Sequence, residues 1–202
     1  MGKVVLPVGV PGPQSLADVV DDLDQRLREG RVEDYLPIPT GLAPFDEYLG
    51  GGLHAEDLWL VGGMQNIGKT VAVVQMARNV ARSGRALAIV VCYEHSPLYL
   101  LHRLLCLESI DPSRSRPDGG PSVLRPEDGG ITRDAIDAAV VGGLQRGESV
   151  SFEWLVDRVP GAWEVWRRIQ RYLEGLWLIL GDGRRTTADV LELYVEVAQE
   201  RG

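Results

Sequence analysis

Cysteine is scarce in this chain. Cys92 and Cys106 are its only two, and they form no paired-thiol motif, which excludes a disulfide scaffold and a cysteine-built zinc site. No apolar run approaches the roughly 20 residues that a bilayer-spanning helix needs. The start, Met1 to Val10, lacks the charged head and long apolar stretch of a secretory leader. A soluble protein of the reducing cytoplasm, with no membrane partner, is the expectation. An excess of positive charge is also missing: 21 Lys and Arg face 29 Asp and Glu, for a net charge of −8. That balance disfavours a protein that wraps nucleic acid on a basic surface, yet leaves room for a local basic groove. Internal repeats are absent. What is present is ordinary globular material, 202 residues at 45% hydrophobic and 25% charged. This suffices for one domain with a long extension, or one domain and part of a second.

Residues 1–13 carry Pro7, Pro11 and Pro13 and read as an irregular arm. Ser15 then caps a helix, with Asp18 in capping-box position. Leu16, Val19, Val20, Leu23 and Leu27 follow at spacings of three and four, so one apolar stripe runs down this helix. Its other face is acidic through Asp18, Asp21, Asp22 and Asp24. Such a helix either packs on its own domain or docks on a neighbouring subunit, and the flanking Pro- and Gly-bearing segments favour docking. Residues 1–34 are therefore read as arm and linker helix, and 35–202 as the domain proper. Within the domain, residues 42–49 suit a short helix stopped by Gly50-Gly51-Gly52. Leu58 to Val61 reads as a short apolar strand, and Val71 to Ser83 as a helix closed by Gly84. Ala86 to Val91 is a continuous apolar run, as in a strand buried on both faces of a parallel sheet. Ser96-Pro97 opens a helix lined by Leu98, Leu101 and Leu105. The order strand–loop–helix–strand–helix begins a doubly wound α/β sheet. Residues 111–130 read as a surface excursion, 131–146 as a helix weakened by Gly142-Gly143, and Trp154, Trp163 and Trp166 as core around a helix near 162–174. Leu176 to Leu180 is a further strand, and Thr186 caps a final helix.

Gly63-Met64-Gln65-Asn66-Ile67-Gly68-Lys69-Thr70 matches G-x-x-x-x-G-K-[ST] in full. In such a loop the two glycines let successive backbone N–H groups turn inward toward phosphate oxygens. The helix that follows adds its positive N-terminal end. Lys69 then serves the β- and γ-phosphates of ATP, and the Thr70 hydroxyl ligates Mg²⁺. The bland alternative is a glycine-rich structural turn. Glu94 lies just past the Ala86–Cys92 strand, at the sheet edge where open α/β folds place ligands. It is a candidate to polarise attacking water, against the alternative of an exposed acid in a turn. His54, His95 and His102 have no metal-ligand spacing.

Taken together, Pro39-Thr40-Gly41-Leu42, Phe45-Asp46-Glu47, Gly50-Gly51-Gly52-Leu53 and the Gly63–Thr70 loop resemble, in order and spacing, the RecA-like motor domain of DnaB-type replicative helicases. The similarity continues through Cys92-Tyr93-Glu94-His95-Ser96 and through Leu98–Ser109, including Arg103. It covers residues 37–109 and is weak from 176 to 202. The resemblance implies a P-loop ATPase with a mostly parallel sheet flanked by helices. It assigns Glu94 as catalytic base and Lys69 as phosphate ligand, and it implies movement along single-stranded DNA. It also implies a hexameric homo-oligomer in which the residue 15–29 helix docks on the adjacent subunit.

The chain departs from that family at Gln65-Asn66-Ile67, where the family reads Arg-Pro-Ser-Met. This loop is closer to those of KaiC-like and RadA-like ATPases. In the family, the strand resembling Leu176–Leu180 and the helix resembling Thr187–Glu200 come before the Walker B strand, and this sequence ends at Gly202. A partial motor domain that binds ATP but hydrolyses it weakly is therefore expected. Three alternatives stand beside it, the first being a KaiC-like or RadA-like ATPase that shares the glycine-rich approach and the loop. Asp182, after Leu178-Ile179-Leu180-Gly181, could itself serve a Walker B strand, or the chain could be a nucleotide-binding regulatory or scaffold module without efficient turnover.

Overall fold

The structure is a computed structural model and describes residues 12–31, 35–110 and 130–201. The irregular arm and the 111–130 excursion fall almost wholly outside the described residues.

Helix α1 spans Leu16–Arg28. Its capping box is formed as the sequence predicts. Asp18 N donates to Ser15 Oγ at 3.2 Å, and Ser15 N donates to the Asp18 carboxylate at 2.8 Å. No residue of α1 is buried, and Leu16, Val19, Val20, Leu23 and Leu27 are all exposed. Among the described residues the stripe therefore does not pack on the chain's own core.

The approach to the loop is held by a small polar staple. Helix α2, Ala43–Tyr48, follows the Thr40-Gly41 turn. Asp46 accepts from Thr40 N, Thr40 Oγ1 and Gly41 N at 2.8, 2.7 and 2.9 Å. Thr40 O in turn accepts from Asn79 Nδ2 at 2.8 Å, which ties the segment to α3, Lys69–Ser83. After α2 the chain doubles back, and Leu53 bridges Ile38 in antiparallel fashion. Only glycine fits at position 52 of this return. Its φ is 138°, and a Cβ there would lie 2.2 Å from Ile38 O.

The described sheet has two strands, β1 (Ala88–Cys92) and β2 (Leu176–Leu180), paired in parallel with Ala88 opposite Leu176 and Cys92 opposite Leu180. Between them run α4 (Pro97–Glu108), α5 (Arg133–Gln145), α6 (Phe152–Arg158) and α7 (Ala162–Ile169), and after β2 comes α8 (Ala188–Arg201). Ala88 and Val90 point to one face of β1 and are buried against α3 and α4. Val74, Val90, Leu100 and Leu104 form one cluster. A larger one joins Val80, Ala81 and Leu105 to the inner faces of α5, α6 and α7. Each fully buried Leu or Val here contributes about 1.5–3 kcal/mol.

Several expectations change. Leu58–Val61 is not a strand: nothing among the described residues pairs with it, and Leu58 and Leu60 are each 97% exposed. An apolar run becomes a strand only when a neighbour takes its backbone hydrogen bonds. The opposite face of β1, Ile89 and Val91, is only half-buried, so the strand is covered on one side rather than two. On α4, Leu98 faces outward, and Leu100, Leu104 and Leu105 carry the buried face. Helix α6 was not anticipated, although Ser151 caps it by accepting from Trp154 N. Trp154 and Trp166 pack on the core as expected, whereas Trp163 is exposed. Thr186 does not cap α8. Its Oγ1 accepts from Asp182 N at 2.8 Å, and the helix begins at Ala188.

Candidate functional site

The segment Gly63–Thr70 turns directly into α3, whose first turn leaves N–H groups without intrahelical acceptors. Gly68 is the N-cap residue at φ 99°, a conformation that favours glycine, and Asn66 sits at φ 62°. Asparagine tolerates that left-handed region better than most side chains, which gives this unusual loop residue a physical reason. At Gly63 a Cβ would meet Ile67 Cγ2 at 2.9 Å, so a side chain there would displace the exposed Ile67. Lys69 Nζ folds back over the loop and donates to Gly63 O and Met64 O, each at 2.9 Å. Residues 63–67 are exposed, and Lys69 and Thr70 half-buried. Lys69 is one of only two lysines in the chain, the other being Lys3.

Glu94 lies in the turn between β1 and α4 and is exposed. His95 N, beside it, donates to Cys92 Sγ at 3.3 Å, and Ser96 caps α4 by accepting from Tyr99 N. Glu94 makes no hydrogen bond or ion pair with the loop among the described residues. The Asp182 carboxylate closes the turn after β2, accepting from Arg184 N at 2.9 Å with Arg185 Nε at 3.9 Å. One Asp182 oxygen is thus taken by the backbone, and the other has only the exposed Arg185 near it. Among the described residues there is no group of three or more His, Cys, Asp or Glu able to hold a metal ion. His95 stacks on Tyr99, with ring centroids 4.2 Å apart. A cavity of about 540 Å³ beside the first turns of α3 is lined by Val71, Val74, Tyr99, Arg103 and Arg133, and includes none of residues 63–70.

Two sets of residues that matter to this region escaped the sequence reading. One is the Asp46–Thr40–Asn79 staple. Burial acts to raise the Asp46 pKa, but the hydrogen bonds from Thr40 and Gly41 outweigh it and hold the carboxyl below its ordinary value. The other is a buried cluster of Arg78, Glu108 and Tyr172. Tyr172 Oη donates to Glu108 Oε1 at 2.9 Å, and burial together with that carboxylate pushes the phenol well above its usual range. Thr40 and Asp46 are only six residues apart, but Asn79 lies 39 residues from Thr40 and Tyr172 lies 64 from Glu108, so nothing local in the sequence announces the complete sets.

A motif-bearing loop that opens a helix beside a parallel sheet defines an α/β protein with an exposed, glycine-bent helix entrance. The comparisons with known proteins sharpen that class. Residues 37–118 match the DnaB-like helicase C terminal domain family, whose fold is RecA-like. A stretch of 94 residues is 33% identical to the replicative DNA helicase DnaB of Treponema pallidum (strain Nichols), covering 46% of this chain and 21% of that protein. No solved structure matches. The resemblance carried by the sequence motifs is thus matched over residues 37–118, where this chain is similar to the DnaB-like helicase C terminal domain, and the match spans about a fifth of the length of the DnaB relative.

Proposed function

We propose that this chain is an ATP-binding domain of the DnaB-like type, with residues 1–34 as arm and linker helix and 35–202 as the nucleotide domain. The observation that carries the reading is the Gly63–Thr70 loop within the family match, with Lys69 Nζ held over it by two carbonyls. A phosphate chain would draw the ammonium from Gly63 O and Met64 O onto its own oxygens, replacing neutral acceptors with charged ones. The free N–H groups of the first α3 turn and the backbone of Met64, Gln65, Asn66 and Ile67 would complete the cradle. The donor set suits Mg²⁺, which keeps several waters and needs few protein oxygens. Thr70 would supply one such oxygen, and the ion would neutralise phosphate charge when bound. Glu94 serves as the base for attacking water, hydrolysis is coupled to movement on single-stranded DNA, and subunits associate through residues 15–29, all in the cytoplasm.

Calorimetry on Lys69→Ala tests the phosphate assignment. ATP affinity should fall at least about tenfold, as for a lost charge-assisted contact. Unchanged affinity would refute the assignment.

A second reading, a module that holds nucleotide without efficient turnover, is favoured by one observation. No carboxylate contacts the loop among the described residues. Steady-state phosphate release from the isolated chain separates the two readings. A weak turnover that falls further in Glu94→Gln supports the motor, and a background rate that the substitution leaves unchanged supports the module.

A further inference from the structure

Four arginines converge on a cavity of about 650 Å³ along the later turns of α3. Arg78 and Arg82 come from α3, Arg168 from α7, and Arg171 from the turn that follows α7. The cavity's two carboxylates, Glu108 and Glu164, are already engaged. Glu108, 4% exposed, pairs with Arg78 Nε at 3.4 Å and accepts from Tyr172 Oη. Glu164 lies 3.7 Å from Arg168 Nε. Arg82 and Arg171 have no carboxylate partner among the described residues. In a chain of net charge −8 this is a local surplus of cation.

A second observation points to a ligand. The Arg78 side chain is only 11% exposed, and its Nε makes no hydrogen bond among the described residues. Buried guanidinium groups ordinarily have their N–H groups fully bonded; here Glu108 at 3.4 Å is a loose partner for Nε, so the Arg78 charge is incompletely compensated on the side that lines the cavity. Burial pulls the Arg78 pKa down, the Glu108 charge opposes that, and the Arg82 charge adds to it. The charge of an anion in the cavity would offset both the cost of burial and the repulsion.

We infer that this cavity binds a small polyphosphate anion of the pyrophosphate class, at a site separate from the Gly63–Thr70 loop. The forked guanidinium groups match phosphate oxygens in geometry and charge. Two arginines without a carboxylate partner among the described residues call for a multivalent anion rather than a single carboxylate. The volume is that of a small-molecule site, whereas a nucleic-acid backbone would call for a stripe of charge along an open face. Lys69 and Arg82 lie about 20 Å apart along α3 at 1.5 Å per residue, farther than a triphosphate tail reaches, so one nucleotide cannot serve both places.

The test uses the full chain with Lys69→Ala, which disables the loop, and inorganic pyrophosphate followed by calorimetry. That variant should still bind pyrophosphate. Adding Arg82→Ala and Arg171→Ala, both exposed positions outside the buried cluster, should weaken binding roughly tenfold or more with the melting temperature of the free protein unchanged. Replacing the same two residues with lysine should restore part of the affinity. The inference is overturned if Lys69→Ala alone abolishes pyrophosphate binding, or if the added alanines leave it intact. It is equally overturned if an oligo-dT strand, and not pyrophosphate, shows the dependence on Arg82 and Arg171.

Discussion

Gly143 sits inside α5 with the Trp154 ring against it. A Cβ there would stand 2.6 Å from Trp154 Cη2 and 3.0 Å from Val150 Cγ2. Gly142, one residue earlier, has only the flexible end of Arg146 nearby, at 3.1 Å. Alanine gains about 1 kcal/mol of helix propensity at either position, but overpacking a core costs about 1–3 kcal/mol. Gly143→Ala should therefore lower stability and Gly142→Ala should hold or raise it, as read by urea unfolding. Equal effects would mean that the Trp154 contact is not tight. The sequence shows both glycines as helix weaknesses and cannot distinguish them, because the difference lies in a side chain from another helix. Glu94 poses the opposite case. Its place after a strand was legible, its partners were not, and the structure leaves it exposed. Glu94→Gln keeps shape and removes charge, so hydrolysis should fall by about 10²–10⁴-fold if this is the general base. ATP affinity should stay within a few-fold, and phosphate-release kinetics beside calorimetry decide it.

At the scale of elements, locally encoded features were readable and paired ones were not. Ser15 and Ser96 each act within three residues, and both helices start where those caps stand. The Gly84 stop of α3 is likewise local, with φ at 66°. Leu176–Leu180 has the expected bounds. Leu58–Val61 has equally apolar residues, yet among the described residues it has no partner for its backbone, and pairing of that kind is not encoded locally. The loop's helix side was legible for the same reason that its strand side was not. Helix α1 supplies the prediction at this scale. Its apolar stripe is exposed along its length, so deleting residues 1–30 should leave ATP binding intact and reduce self-association. Light scattering giving the same mass with and without the segment would rule out α1 as the docking element.

For the whole molecule, acid stability traces in part to the staple at Asp46. Its folded pKa lies below the ordinary 3.8, so its contribution is complete above that value and is lost as pH falls through the folded pKa. Asp46→Asn should lower the neutral-pH melting temperature and flatten the acid side of the stability profile. Thermal melts from pH 7 down to pH 2 would show this, and an unchanged acid limb would assign the loss to other carboxylates. The β1–β2 pairing has a consequence in time. Ala88 and Leu176 stand opposite each other in the register, but four helices lie between them in the chain. Closing so long a loop is entropically costly before any strand contact forms, while α6 and α7 meet across a short turn. The helical layer should therefore assemble first, with the sheet zipped onto it late. In stopped-flow experiments Leu155→Ala, in the α6–α7 core, should mainly slow folding, and Leu178→Ala, in β2, should mainly hasten unfolding. The two-stranded sheet would then act as a latch that sets how long the folded chain lasts rather than how quickly it forms.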